Sequence, residues 1–176
     1  LEPACGDGNF LAEILHRKLL KVKNQYGNNH HDYEKYAVLA VTSIYGVDIL
    51  PDNVALCISR LFDIFNKEYL SICKEDATDD CRQAVLHILR RNILCGDALT
   101  MKTSDGNPII FSEWSFLTGD LVKRRDFRFD ELLRGHQIQR DLFTQNWEYD
   151  SESKAYIPIP IQQFSPITYT KIHKNV

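Results

Sequence analysis

The sequence predicts an α/β chain: a mainly parallel sheet covered by helices on both faces, followed by an extended C-terminal arm. Three observations carry this. Short β-rich runs alternate with longer segments of helical periodicity, the pattern of strands joined by crossover helices. Each predicted strand closes on or beside an acidic residue, at Glu2, Asp48 and Asp97. The tail from Asn146 is rich in proline, aromatic and β-branched residues, and its prolines exclude both a long helix and a central strand.

"LEPACGDG" reads as the end of a strand running into a glycine turn, with the body of that strand expected upstream of Leu1. In "NFLAEILHRKLLKVK" that follows, Leu11, Ile14, Leu15, Leu19 and Val22 fall at helical spacing. Basic residues gather in its last turns, where the helix dipole favours them. "NQYGNNHHD" reads as a polar loop, "YEKYAVLAVTS" as a second helix and "IYGVDI" as a strand. Pro51 suits the first turn of the next helix, whose Val54, Ile58, Leu61, Phe62 and Phe65 make one apolar face. After the charged loop "CKEDATDD", Thr78 or Asp79 is placed to cap the helix "CRQAVLHILRR". "NILCGDAL" and "PIIFSEWSF" read as two further strands. The expected division is a domain over 1–145 and an arm over 146–176, the arm extended or an edge hairpin, packed on the domain or on a partner protein.

At 176 residues the chain is long enough for one domain with a sizeable core. A net charge of −3 excludes a global pull toward nucleic acid, so such binding needs a local patch. "VKRRDFRF" offers one: Lys123, Arg124, Arg125 and Arg128 interleave with Phe127 and Phe129, a pattern that grips phosphates and stacks bases, or else forms a solvated basic segment. The five cysteines never form CxxC and read as reduced, mostly buried thiols of a cytoplasmic protein. His30 and His31 are adjacent in a polar loop, and His16, His87, His136 and His173 show no ligand spacing, so no metal site is expected. No apolar run approaches the roughly 18 residues needed to span a bilayer, so no membrane partner is expected.

In an open parallel sheet, ligands sit at the carboxyl ends of the strands. Gly6 and Gly8 allow close approach of backbone to a ligand, and their turn delivers a helix N-terminus. A carboxylate after the second strand suits both hydroxyls of a ribose, and one after the third suits an exocyclic amine. Together the three ends describe a nucleoside-sized pocket.

These residues also carry a resemblance. "LEPACGDGNFL" resembles the first motif of class I S-adenosylmethionine-dependent methyltransferases, in the form found in the adenine-N6 DNA methyltransferases of restriction–modification systems. "IYGVDILPDNVALC" looks like their second motif and "NILCGDAL" like their third, so the resemblance spans residues 1 to about 100. It implies a Rossmann-like fold, S-adenosyl-L-methionine as cofactor and DNA as partner. It further implies that Glu2, Pro3 and the turn of Ala4, Cys5, Gly6 and Gly8 face the methionine part, with Asn9 and Phe10 beside it. By the same resemblance Asp48 holds the ribose hydroxyls, Ile49 packs on the adenine, and Asp97, followed by Ala98, meets the adenine amine. A dinucleotide-binding turn is disfavoured, because its third small residue is replaced here by Leu11.

The same family carries (D/N/S)-P-P-(Y/F/W) after its fourth strand, where it accepts from the target amine and stacks on the flipped base. No such tetrapeptide occurs here; "NPII" at Asn107 has its first two letters only and precedes the apolar strand. "SEWSF" lies in the better place, with Ser112 as candidate acceptor and Trp114 or Phe116 as stacking surface; the competing reading is a strand with a buried Trp114. The expected function is therefore the cofactor-binding domain of a DNA adenine-N6 methyltransferase, inactive toward adenine as this chain alone. A non-catalytic degenerate module, or a methyltransferase acting on RNA or a small molecule, are the alternatives.

Overall fold

The computed structural model describes residues 1–134, 147–150 and 155–174. Four long helices come first: α1 (Asn9–Tyr26), α2 (His30–Thr42), α3 (Pro51–Cys73) and α4 (Asp79–Asn92). Their apolar spacing produces their packing. In α1, Leu11, Leu15 and Leu19 are buried, and in α3, Val54, Cys57, Leu61, Phe65, Tyr69 and Cys73 form one continuous stripe. Thr78 caps α4 by accepting from Cys81 N at 3.2 Å, with Asp79 and Asp80 in the first turn and Arg90 and Arg91 in the last. α2 begins earlier than its apolar pattern suggests. Asn29 accepts from Asp32 N at 3.2 Å and caps it, so His30 and His31 open a helix and do not lie in a loop.

Strands β1 (Gly46–Asp48) and β2 (Ile93–Cys95) pair in parallel, with Asp48 opposite Cys95. Glu2 forms a parallel bridge to Gly46 on the other edge of β1, through Glu2 N to Tyr45 O and Val47 N to Glu2 O, both 2.9 Å. The order across this small sheet is thus Glu2, β1, β2.

The remaining strands depart from a mainly parallel sheet. β3 (Ile110–Phe116) and β4 (Leu121–Arg128) are antiparallel, joined by Leu117–Asp120 with Gly119 at φ 73°. A four-residue connection cannot carry a strand back to start a parallel neighbour, which needs a crossover of a dozen residues or more. A short helix α5 (Phe129–Arg134) follows β4, and β5 (Trp147–Asp150) pairs with β6 (Ala155–Pro158) as an antiparallel hairpin. The tail continues onto the body: β7 (Gln162–Gln163) and β8 (Ile167–Thr168) both pair with β4. A final 3-10 segment (Tyr169–Lys174) packs on α4 and buries Tyr169 and Ile172 in the helical core. No helix among the described residues is long and apolar enough to cross a membrane.

One buried polar residue ties the two halves together. Asn92, fully buried at the end of α4, donates to Thr42 O and Ile44 O at 3.1 Å each and accepts from Trp114 Nε1 at 2.9 Å. It joins the end of α2, the approach to β1 and the middle of β3 at a point where water cannot substitute.

Candidate cofactor site

The glycine turn between Glu2 and α1 is anchored at every step. Cys5 N donates to Val47 O (2.9 Å), Gly6 N to Asp48 Oδ2 (2.8 Å) and Gly8 N to Cys5 O (2.9 Å). Gly6 and Gly8 both adopt positive φ, 54° and 86°. At Gly8 a methyl group would lie 2.6 Å from Cys57 Sγ on α3, so both conformation and space demand glycine. The Cys5 and Cys57 thiols neighbour each other beneath the turn. Interaction with the Cys5 thiol, followed by burial, pushes the Cys57 thiol up, so it remains an uncharged packing group. All five cysteines are free thiols and four are buried.

Asp48 is the hub. Its Oδ1 accepts from Leu50 N and from Asn53 Nδ2, both at 3.0 Å, while Oδ2 holds Gly6 N. Burial alone would raise its carboxyl, but the hydrogen bonds from Leu50, Asn53 and Gly6 outweigh it and hold the group below the usual carboxylate range. Three of the roughly four acceptor positions of a carboxylate are therefore in use, leaving one on Oδ2. The backbone carbonyl of Asp48 accepts from Gly96 N at 2.9 Å, which brings the third strand end beside the second. Asp97 next to it closes a local turn, accepting from Leu99 N (2.8 Å) and Thr100 Oγ1 (3.0 Å), and these bonds lower its carboxyl.

Glu2, the Cys5–Gly8 turn, Asp48 and Asp97 are thus joined through adjacent strand ends, while Ala4 N reaches Glu2 Oε1 at 3.3 Å. Phe10 and Ile49 are 63% and 67% exposed at these ends. No side chain caps α1, and its first turn holds no acidic residue.

The other predicted residues are engaged elsewhere. Ser112 is buried, donates to Asp126 Oδ1 at 2.8 Å and accepts from Arg124 Nε at 3.2 Å. Trp114 is buried against Asn92, and Phe116 stacks on Tyr169. "SEWSF" is the body of β3 and presents no loop to a base. Within the basic run, Arg124 is 4% and Arg125 7% exposed. Arg124 pairs with Asp126 at 2.6 Å, and Arg125 pairs with Glu113 at 2.8 Å, its opposite in the β3–β4 register. Arg128 is held by Asp130 at 2.8 Å, and Lys123 is half-buried on the same strand. This corrects the phosphate-gripping reading for Arg124 and Arg125: they lie on opposite faces of a central strand that is covered on both sides, and acidic partners neutralise them.

His30 and His31 are exposed but paired, His30 Nδ1 with Asp76 at 2.6 Å and His31 Nε2 with Asp120 at 3.0 Å. His136 lies outside the described residues. Among the described residues no group of three His, Cys, Asp or Glu side chains is placed to hold a metal ion. A cavity of about 360 Å³ is lined by Leu1, Tyr45, Phe111, Phe127 and Phe129 together with Ser112 and Arg125, two of the residues singled out in the sequence; none of the glycine-turn residues lines it.

No family model, curated protein or solved structure matches this chain.

Proposed function

We propose that this chain binds S-adenosyl-L-methionine, or its demethylated product, at the carboxyl ends of the Glu2, β1 and β2 strands. It would do so as the cofactor-binding part of a Rossmann-like methyltransferase of the DNA adenine-N6 type. The observation that carries the reading is the double anchoring of Asp48, to Gly6 N through its side chain and to Gly96 N through its carbonyl. It brings the ends of the three motifs side by side. The residues fit the group. One acceptor position on Asp48 meets a ribose hydroxyl, the exposed Ile49 offers a face for the adenine, and the uncapped start of α1 lies beside the glycine turn.

When bound, the cofactor supplies an electrophilic methyl carried on a sulfonium. The chain's own part would be to bind and orient that group, which is chiefly alignment. Asp48 would hold the ribose, and Ile49 and Phe10 would shield the adenine and methionine portions from water, with the glycine turn between them. The burial of Ser112 and Trp114 favours a module that binds cofactor without methylating adenine on its own. Preorganised acceptors of the kind that loop lacks are worth roughly a hundredfold to a thousandfold each.

Calorimetric titration with S-adenosylmethionine and S-adenosylhomocysteine tests the reading. Saturable heat is expected. So is a thermal shift corresponding to about 2.7 kcal/mol at a hundredfold excess over Kd. A folded sample giving neither overturns it. Tritiated methyl transfer to unmethylated DNA is expected to stay at background.

A further inference from the structure

We propose that Arg60 is a positioning residue of the cofactor turn, acting through Asp7 and Asn9. This rests on the cofactor reading above. It concerns a side chain that none of the three motifs includes as a ligand contact. Arg60 lies in the third turn of α3, more than fifty residues along the chain from the glycine turn. It nevertheless donates from Nη2 to Asp7 Oδ2 at 3.0 Å and from Nη1 to Asn9 Oδ1 at 2.5 Å. Asn9 in turn donates from Nδ2 to Asp7 Oδ1 at 2.9 Å, closing a three-membered network over the turn.

Arg60 does not act alone on its helix. Asn53 donates to Asp48, Cys57 packs against Gly8, and Arg60 grips Asp7 and Asn9. These three residues stand at i, i+4 and i+7 of α3, which is one face of a helix. One stripe of α3 therefore supports the cofactor turn along its length: below the strand end, beneath the second glycine, and at the start of α1. Asn53 and Cys57 act from partly or fully buried positions. Arg60 works at the surface, with its side chain 37% and that of Asp7 40% exposed.

That exposure separates positioning from stability. An exposed ion pair contributes little to the folding equilibrium, because solvent screens it and holding two long side chains costs entropy. Its effect is local. Arg60 neutralises the one carboxylate inside the glycine turn and holds it toward α3, together with the Asn9 carbonyl. Without Arg60, Asp7 loses its cation and keeps only the Asn9 amide as partner, on a turn where it is flanked by two glycines, so its charge can shift over the face where the amino-acid portion of the cofactor would sit. Lysine restores the charge but not the fork that spans two acceptors.

The test uses the full chain as wild type, Arg60→Ala, Arg60→Lys, Asp7→Asn and the Arg60→Ala/Asp7→Asn double variant. Each is measured for melting temperature, for amide hydrogen exchange over residues 5–11 without ligand, and for S-adenosylhomocysteine affinity. The expected result is that Arg60→Ala accelerates exchange in that window and raises Kd about tenfold, while Tm moves by no more than about 2 °C. Arg60→Lys recovers part of the loss. The double variant recovers most of the affinity, because the charge that Arg60 neutralised is gone. A second probe, 5′-methylthioadenosine, lacks the amino-acid portion and should bind wild type and Arg60→Ala alike. Exchange and Kd that stay within twofold in Arg60→Ala overturn the assignment, as does a Tm loss large enough to account for the weaker binding. If wild type binds neither nucleoside, the cofactor reading fails, and unchanged or accelerated exchange still decides whether Arg60 holds the turn.

Discussion

Replacing Asp48 with asparagine separates the part of the site that the fold needs from the part a ligand would use. The substitution keeps the volume and removes one acceptor oxygen. Asp48 accepts from Gly6 N on Oδ2 and from Leu50 N and Asn53 Nδ2 on Oδ1. With the new amide oxygen toward Leu50 and Asn53, an NH2 group faces the Gly6 N–H. With the amide flipped, two donors lose their acceptor. The better orientation still forfeits one hydrogen bond to a charged group, about 2 kcal/mol. For a chain of this size that is roughly 4–8 °C in Tm. The ribose hydroxyl loses the same charged acceptor, so S-adenosylhomocysteine affinity should fall a further ~30-fold, the equivalent of about 2 kcal/mol. The sign of the pH dependence follows from the lowered carboxyl. Stabilisation by Asp48 is complete above its unfolded pKa and is lost as pH falls through the lower folded value. The asparagine variant should lack that acid-limb loss. Thermal melts from pH 2.5 to 7 and calorimetry at pH 7 read the two effects separately. A variant with Tm within 1 °C of wild type refutes the hub geometry; one that loses stability but binds the nucleoside within threefold refutes the ribose role.

Asn92→Ala should cost about 3–5 kcal/mol, read by urea denaturation, because it leaves two carbonyls and the Trp114 N–H without partners in a site closed to water. A loss below 1 kcal/mol would show that the node is not what joins α2, α4 and β3. His87 is lowered to about 4 by burial and by the nearby charges of Arg91 and Arg124. The unfolded chain therefore takes up a proton at this residue between about pH 6.5 and 4 while the native state does not, and stability falls as pH drops through that window. At pH 5 the full effect is about 2 kcal/mol, nearer 1 once solvent screening of a half-buried ring is allowed for. His87→Gln should flatten the decline between pH 7 and 5, and an unchanged pH profile would count against it.

The local elements were legible because each leaves its mark within a dozen residues. The helical spacing of α1 and α3, the Thr78 cap, the short β1 and β2 runs and the strand end at Asp48 are properties of neighbouring residues, and the structure places them as read, while β2 stops at Cys95, two residues before Asp97. Asn29 was legible too, as a capping residue three positions before Asp32, but the apolar pattern outweighed it and shifted the start of α2. Tertiary structure decided everything that depends on register or on reach across the chain. The tight turn at Gly119 folded β3 and β4 into a hairpin, and that register set Glu113 against Arg125 and Ser112 against Asp126. Two arginines that read as a phosphate-binding surface became the buried halves of ion pairs. The hold of Arg60 on Asp7 likewise spans more than fifty residues. Periodicity states which side chains share a face of one element. What that face meets is fixed by packing among elements distant in sequence, where burial and charge pairing are settled together.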